Sequence, residues 1–544
     1  MMDRGAYFFN LDLNLHHTYT NDDYVLVSSL IIVFKRERKK KNARAPSNKV
    51  ASTINTFANM EKRKEALLVK FKSAGQDQVF QYWDSLSSIE RSLLLDQLES
   101  IEVHKLGAYL LHAATNESTA DLNQTIQPFS GKVGKGHIFQ SAEGSDVDLY
   151  QVGMNAIRSN KVATVLLAGG QGTRLGFSGP KGMYDIGLSN GKTLFCLISE
   201  RIVKISQLAK ASQEQDAEVK IPLYIMTSPM NHEETKAYFE SNHYFGLQAQ
   251  DVIFFSQGVL PCLSPDGKIL MEKPYQCSVA PDGNGGIYPA IEKSGVLADM
   301  VTRGIEHIHT FAIDNSLVKP ADPNFIGYCI QSKADCGNKV LWKSDPHEKV
   351  GVVAEKDGKP CVVEYSELSK DMAERLVAKE YMEDDIDDDP KLAYGAANIC
   401  NHYYHIDFMQ HKIIPDVGNM FHIAHKKIGT WDDAKKATVI PTVNNGIKLE
   451  SFIFDVFPLS TSMAIYEVER RHEFAPIKNA PGSASDSPDT ARAMISSLAK
   501  EWLHDAGARI SANVDATICI SPLTSYGGEG LEMYKGKDIK CASL

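Results

Sequence analysis

Val162-Ala163-Thr164-Val165-Leu166-Leu167-Ala168-Gly169-Gly170-Gln171-Gly172-Thr173-Arg174-Leu175-Gly176, continued by Pro180-Lys181, sets the architecture of this chain. A short apolar run passes straight into glycines, and an amphipathic segment follows from Leu194 to Leu208, so the passage predicts a buried strand, a turn and a helix. Four glycines within eight residues let backbone N–H groups approach an anion without side-chain obstruction. Arg174 and Lys181 bring two positive charges to the same turn, suited to phosphate and to charge building on a leaving group. The spacing is not a dinucleotide fingerprint, because three residues separate Gly172 from Gly176, and no Gly-Lys-Ser/Thr ends it as in a Walker A loop. For the glycines alone, a ligand-free strand-to-helix turn remains a competing reading.

Further strand-like runs at Ile221 to Met226, Val252 to Phe255 and Ile308 to Ile313 alternate with helix-like stretches, which predicts an α/β sheet with mainly parallel strands. Before it, apolar residues recur at helical spacing from Met60 to Ala114, among them Leu67, Leu68, Phe71, Leu93, Leu94, Leu98 and Ile101, and read as a packed helical layer. The expected organisation is a disordered extension over residues 1–59, a helical N-terminal domain over 60–157, a catalytic domain over 158–480 and a small C-terminal domain over 481–544. Met60 is expected to open the folded chain. The apolar run Tyr24 to Phe34 is too short to span a bilayer, and Asp22 and Asp23 stand where a secretory signal has basic residues. The acidic run Glu383 to Pro390 lacks spaced metal ligands and reads as a solvated loop. Pro481 to Pro488 reads as a linker before a helix containing Ala491 to Leu503.

The 544 residues allow two or three domains, and 43% hydrophobic with 23% charged residues is ordinary for a soluble protein. A formal charge of −10 offers nucleic acid no general attraction, so any phosphate binding must be local. The nine cysteines form no Cys-x-x-Cys pair or zinc spacing, which points to reduced thiols in a cytoplasmic protein.

The spacing Leu167-x-x-Gly170-x-Gly172-Thr173-x-x-Gly176-x-x-x-Pro180-Lys181 resembles the motif of eukaryotic UDP-sugar pyrophosphorylases. Its continuation Gly182-Met183-Tyr184-Asp185-Ile186-Gly187-Leu188 resembles the UDP-N-acetylglucosamine pyrophosphorylases among them. The likeness runs from about Met60 to Gly530. It implies an α/β, Rossmann-like nucleotidyltransferase (GT-A-like) with a mixed, mainly parallel sheet, a helical N-terminal domain and a small α+β C-terminal domain. It also implies uridylyl transfer from UTP to N-acetylglucosamine 1-phosphate, with N-acetylgalactosamine 1-phosphate as a further candidate, and dependence on Mg²⁺ with Mn²⁺ as its substitute. The implied partners are UTP and an N-acetylhexosamine 1-phosphate, with no nucleic acid or membrane, in a monomer or homodimer.

The resemblance carries roles onto matching residues. Leu167, Ala168, Gly169, Gly170, Gln257, Gly283, Asp314, Lys181 and Lys448 are implied in nucleotide binding; Asn284, Glu364, Tyr365, Asn398 and Lys478 meet the sugar phosphate; Arg174, Lys181 and Lys448 are catalytic. An amide such as that of Gln257 can donate and accept together, which suits a pyrimidine edge, although a Gln at a strand end is more often a turn residue. Asp314, at the carboxyl end of a strand, is the implied magnesium ligand, and by itself reads equally as a turn or cap residue. His307 and His309, two apart, read as strand-surface residues rather than metal ligands. The chain departs from the family at Ala397, where a Gly is usual before the Asn, and at Pro289. The chemistry expected is an in-line attack of the sugar phosphate on the α-phosphorus of UTP, with cations screening the repulsion between two anions. Alternatives are a UDP-glucose or UDP-galactose pyrophosphorylase, a nucleotide-binding oxidoreductase, which the glycine spacing disfavours, and a non-catalytic UDP-sugar sensor.

Overall fold

A computed structural model describes residues 48–119, 125–131, 133–136, 148–211, 218–377, 391–510, 517–539 and 543–544. The expected extension up to residue 47 and the acidic run 383–390 lie outside the described residues. Two compact units emerge: one gathers residues up to Leu110, Leu260–Ala280 and Ala424–Lys448, the other Leu111–Val259, Pro281–Ile423 and Leu449–Leu544. The first unit thus takes in two segments that lie within the 158–480 span.

In the first unit, helix α1 spans Asn48–Ser73 and α2 spans Ser88–Ser100. Helix α1 starts before Met60, within the span expected as an extension. Ser87 begins α2 with a capping box: its hydroxyl accepts from Glu90 N and the Glu90 carboxylate accepts from Ser87 N at 2.8 Å. Leu67, Phe71, Leu94, Leu98 and Ile101 are buried as the periodicity predicts, whereas Leu93 is 51% exposed because the inward face of α2 is Arg91, Leu94, Leu95 and Leu98. Two glutamines tie these helices to the 260–280 segment. The Gln76 side chain donates to Gly267 O and accepts from Ile269 N, both at 2.8 Å, while Gln97 accepts from Cys277 N at 2.8 Å and donates to Cys277 O at 3.1 Å. Each mimics the pairing of a neighbouring strand.

The second unit is built on an eleven-stranded sheet. Its strands are β1 Ile126–Pro128, β2 Val133–Lys135, β3 Val162–Leu167, β4 Leu223–Thr227, β5 Val252–Ser256, β6 His307–Ala312, β7 Cys336–Trp342, β8 Val352–Lys356, β9 Lys359–Val363, β10 Ala396–His405 and β11 Met463–Glu467. The main path runs β2-β11-β7-β10-β6-β3-β4-β5, with β8 pairing β1, β9 and β10. The sheet is mixed and mostly parallel along this path, as expected; β10 is the exception, antiparallel to both its neighbours.

All six residues of β3 are buried, which explains an unbroken apolar run where a half-exposed strand would alternate. Helix α3, Leu194–Ala211, packs Leu194, Phe195, Leu197, Ile198, Ile202 and Ile205 into the core beside it. Helix α4, Pro488–Asp505, starts where Ser487 caps it after the expected linker. Register aligns the strand ends: Leu167 of β3 faces Ala312 of β6 and Met226 of β4, and Thr227 of β4 faces Ser256 of β5. Four parallel strands therefore end along one edge, where open α/β sheets bind ligands. Antiparallel β10 starts at that edge, since Asn401 faces Phe311 near the end of β6.

His307 and His309 are buried rather than at a strand surface: His307 stacks on Tyr403, and His309 packs against Phe311 and Phe325. His309 Nε2 meets Asn401 Oδ1 at 2.5 Å, and its Nδ1 accepts from Ala321 N at 2.9 Å. Burial pushes both imidazoles down to about 4, so they are neutral.

Lys339 on β7 is fully buried. Its ammonium donates to Asp322 and, at 2.6 Å, to Glu473, whose other oxygen lies 3.2 Å from Lys319 Nζ. Burial alone would lower the Lys339 pKa, but the two carboxylates outweigh it and hold the group above the ordinary lysine value. Lys339→Met leaves both acids buried beside one remaining lysine and is expected to cost about 3–5 kcal/mol. Urea unfolding followed by circular dichroism measures this; a cost below about 1 kcal/mol would show the ion cluster to be dispensable.

Candidate active site

The chain leaves β3 still held to β4, with Ala168 N donating to Met226 O at 2.8 Å. It then turns back on itself: Gly172 N donates to Gly179 O at 3.0 Å and Lys181 N to Gly170 O at 3.1 Å. Asn231 steadies the turn by donating from its side chain to Ala168 O at 3.1 Å. Arg174 stands exposed on the single 3₁₀ turn Thr173–Leu175. A Cβ on Gly169 would lie 3.0 Å from Gln257 Oε1, so the Gln257 amide rests against the loop, whereas a Cβ on Gly170 would meet nothing within 4 Å. Leu167, Ala168, Gly169, Gly170 and Gln257 are thus brought together around a bare stretch of backbone.

The charged residues converge on the same turn. Lys181 Nζ donates to Ile477 O at 3.3 Å, and Ile477 N donates to Asp314 O at 2.9 Å. Burial pulls the Lys181 pKa below the ordinary lysine value; Asp314 acts against this, and Arg174 and Lys478 add to it. The four groups therefore share one electrostatic neighbourhood. Lys478 is exposed, with its ammonium 5.8 Å from the Phe474 ring centroid. Lys448 lies on the strand Gly446–Glu450 and is the last residue of the first unit, where its charge acts on the thiol of Cys262.

A second glycine loop follows Pro281. Gly283 has φ +89°, and a Cβ there would sit 2.2 Å from Ser451 O, so only glycine fits. The loop is clamped on Ser451, whose N donates to Asp282 O at 2.8 Å and whose carbonyl accepts from Gly285 N at 2.9 Å. The Asn284 side-chain carbonyl accepts from Ile453 N at 3.0 Å, so donation toward a ligand falls to its NH₂ group.

Asn398 is oriented in the same way. Its Oδ1 accepts from Cys400 N at 3.1 Å, His402 Nε2 at 3.0 Å and Asn338 Nδ2 at 3.3 Å, again leaving an NH₂ group as donor. Burial pushes His402 down to about 3, so its ring is neutral; with Nε2–H donating, Nδ1 accepts from Tyr404 OH at 3.2 Å. Tyr404 OH lies 2.9 Å from Tyr288 OH, which donates to Ile453 O. Tyr288, Tyr404 and His402 therefore form one buried polar cluster between the anchors of Asn284 and Asn398; with the Tyr404 proton on His402 and the Tyr288 proton on Ile453 O, the two hydroxyls meet without a hydrogen between them.

Asn398 N donates to Gly351 O at 2.9 Å, and a Cβ on Gly351 would lie 3.1 Å from Glu364 Oε1, which brings Glu364 to the same end. Burial, with help from Glu367, raises the Glu364 pKa above the ordinary carboxylate value, and Tyr365 beside it is 47% exposed. Nothing in the sequence marks His402, Tyr404 and Tyr288 as a cluster, because they come from a strand and a helix 116 residues apart. Asp282 lies in a loop that its glycines do flag, but only the fold reveals its burial.

Among the described residues no group of three or more His, Cys, Asp or Glu gathers to hold a metal. One carboxylate at a strand end beside a cation cluster fits Mg²⁺, which draws most of its ligands from phosphate and water. No helix of the described residues is long and apolar enough to cross a membrane.

Residues 132–497 match the family model described as UTP–glucose-1-phosphate uridylyltransferase. The chain is 41% identical over 479 residues to a Saccharomyces cerevisiae protein named UDP-N-acetylglucosamine pyrophosphorylase, covering 86% of this chain and 96% of that one. It is 40% identical over 486 residues to Arabidopsis thaliana UDP-N-acetylglucosamine diphosphorylase 2, covering 86% and 91%. Among solved structures, the uridine diphosphate N-acetylglucosamine pyrophosphorylase of Trypanosoma brucei aligns with a TM-score of 0.75 at 30% identity, covering 87% of this chain and 94% of that one.

Gly283→Ala and Gly170→Ala should behave differently. The first forces a side chain into a glycine-only conformation and a backbone oxygen, and is expected to cost at least about 1–3 kcal/mol in stability. The second meets open space, so the melting temperature should hold while affinity for UTP falls. Thermal scans with isothermal titration measure both, and a Gly170→Ala protein with undiminished UTP affinity would remove that loop from the site.

Proposed function

The chain belongs to the UTP–glucose-1-phosphate uridylyltransferase family, and on that premise we propose that it joins UTP to N-acetylglucosamine 1-phosphate, making UDP-N-acetylglucosamine and pyrophosphate. The observation that carries this reading is the meeting, along one sheet edge, of a bare glycine turn against the Gln257 amide with the Lys181, Arg174, Asp314 and Lys478 charges. The first half suits a pyrimidine nucleotide and the second suits paired phosphates. At the other end, Asn398 offers an amide donor near Glu364, and Asn284 offers another from the second glycine loop, polar groups suited to the hydroxyls and acetamido group of an amino sugar.

The sugar phosphate oxygen attacks the α-phosphorus of UTP in line, forming the new P–O bond as the bond to pyrophosphate breaks. Both reactants are anions, so the chain's task is to align them and screen their repulsion. Arg174 and Lys181 face the triphosphate and the departing charge; Lys478 holds the sugar phosphate. Lys181, tethered to Ile477 O, meets phosphate with little rearrangement, which is how a fixed donor lowers a barrier. Lys448 enters as a UTP-phosphate contact on the family resemblance alone. Asp314 would hold Mg²⁺, or Mn²⁺ in its place, and the bound metal would neutralise phosphate charge. A cytoplasmic setting is supported by thiols that are free at all eight cysteines among the described residues.

A coupled pyrophosphate assay with UTP, Mg²⁺ and the 1-phosphates of N-acetylglucosamine, N-acetylgalactosamine and glucose tests this. Preference for glucose 1-phosphate, or no pyrophosphate at all, would reject the reading. In the same assay Arg174→Ala should lower turnover by on the order of a hundredfold or more, with little change in the KM for sugar phosphate. Asp314→Asn should shift the Mg²⁺ titration to higher concentration.

A further inference from the structure

Asp282 has a carboxyl that is buried and almost unpartnered. The residue is 5% exposed, and its Oδ1 has no hydrogen-bond partner among the described residues. A Cβ on Gly286 would fall 1.9 Å from that oxygen, and one on Gly258 would fall 2.8 Å from Oδ2. The carboxyl therefore fills the gap between two glycine Cα atoms, one beside Gln257 and one closing the loop that begins at Gly283. Its main chain is held as well, since Asp282 O accepts from Ser451 N at 2.8 Å and Ser451 Oγ at 3.1 Å.

The surroundings supply little charge. The turn 256–258 brings Ser256, Gln257 and Gly258; the loop 283–286 brings Gly283, Asn284, Gly285 and Gly286; the segment 451–453 brings Ser451, Phe452 and Ile453. The residue's own backbone N–H, which hydrogen-bonds the ionised form, and then Lys293, at the end of the helix Ile287–Lys293, act against burial, and each has a smaller effect than burial. An ionised carboxylate in such a place costs several kcal/mol unless it is paired, so it takes up a proton instead. Burial pushes Asp282 up to about 7, which leaves it divided between its two forms at neutral pH. A residue kept only for packing between two glycines has no need of an acid.

We propose that Asp282 is a proton-linked positioning residue of the uridine site: protonated, it lets the 257–258 turn and the 283–286 loop close on the base, and ionised it opposes that closure. The inference rests on reading this site as one for uridine nucleotides. Binding covers the carboxyl further from water and favours its neutral form, so a proton is drawn from solvent. The sign follows. Below pH 7 the free protein already carries the proton and affinity is flat; above pH 7 each binding event must take one up, and affinity falls about tenfold per pH unit until the bound form also ionises.

The test is isothermal titration of the full chain with UDP-N-acetylglucosamine, whose diphosphate diester does not titrate between pH 6 and 9, in two buffers of different ionisation heat. The expected result is uptake near zero at pH 6 and near one proton per nucleotide at pH 8, with about tenfold weaker binding at pH 8. Asp282→Asn should bind with no uptake and no pH dependence. Binding by the natural protein without uptake at pH 8, or undiminished uptake in Asp282→Asn, overturns the proposal. Should that variant not fold, Lys293→Met decides: removing the cation should move the midpoint of uptake to higher pH, and an unmoved midpoint overturns the proposal. Absence of any binding by the natural protein is a separate outcome, and rejects the uridine reading itself.

Discussion

Lys339 carries its charge on a strand with no water around it, and the carboxylates that make this tolerable, Asp322 and Glu473, come from segments far apart in the chain. Their joint hold fixes where the chain runs after β11. From Glu473 onward it lies alongside the residues that leave β6: Asn315 donates to Glu473 O at 2.7 Å and accepts from Ala475 N at 3.0 Å, and Ser316 N donates to Ala475 O at 3.1 Å. Two residues later the carbonyl of Ile477 receives the Lys181 ammonium. A flexible lysine, which otherwise loses much side-chain freedom on meeting phosphate, is thus already placed. The buried charges do not touch the proposed substrates; they determine the position of groups that would.

The two halves of the site reach one edge by opposite means. Parallel strands β3, β4, β5 and β6 deliver the residues that follow them, namely the glycine turn, Asn231, Gln257 and Asp314. Antiparallel β10 instead delivers residues near its start, so Asn398 arrives beside the end of β6 without a separate crossover. The reversal of one strand gives the two ends of the proposed site a common floor. Two asparagines are turned with the oxygen inward by separate donors: Cys400 N and His402 hold Asn398, and Ile453 N holds Asn284.

What could be read from residues alone was what depends on neighbours in sequence. The strand at Val162–Leu167, the helix from Leu194 and the glycine turn follow from local pattern, because glycine frees the backbone for tight turns and a run of β-branched and leucine residues favours buried regular structure wherever they occur. The strand Ile308 to Ile313 was likewise legible, with its bounds displaced by one residue. Burial made by distant segments was not. Lys339 sits in a strand that gives no hint of two acids waiting 17 and 134 residues away. His309 looks like a surface residue until Phe325 and the backbone of Ala321 close over it. Leu93 matched the helical period and still faces outward, since a single turn of the helix decides which of several adjacent leucines points inward. The roles of Glu364, Asn398 and Lys478 came through family likeness rather than through any property of a lone acid, amide or amine.

Gln76 and Gln97 reach for backbone made much later in synthesis, at Gly267 to Cys277, and the first unit is complete only with the segment ending at Lys448. A ribosome adding about 5–20 residues per second leaves the opening helices waiting for tens of seconds before their partners exist. During that interval the leucines of α2 have no finished core to enter. The first unit can therefore close its core only after the segment ending at Lys448 has been made.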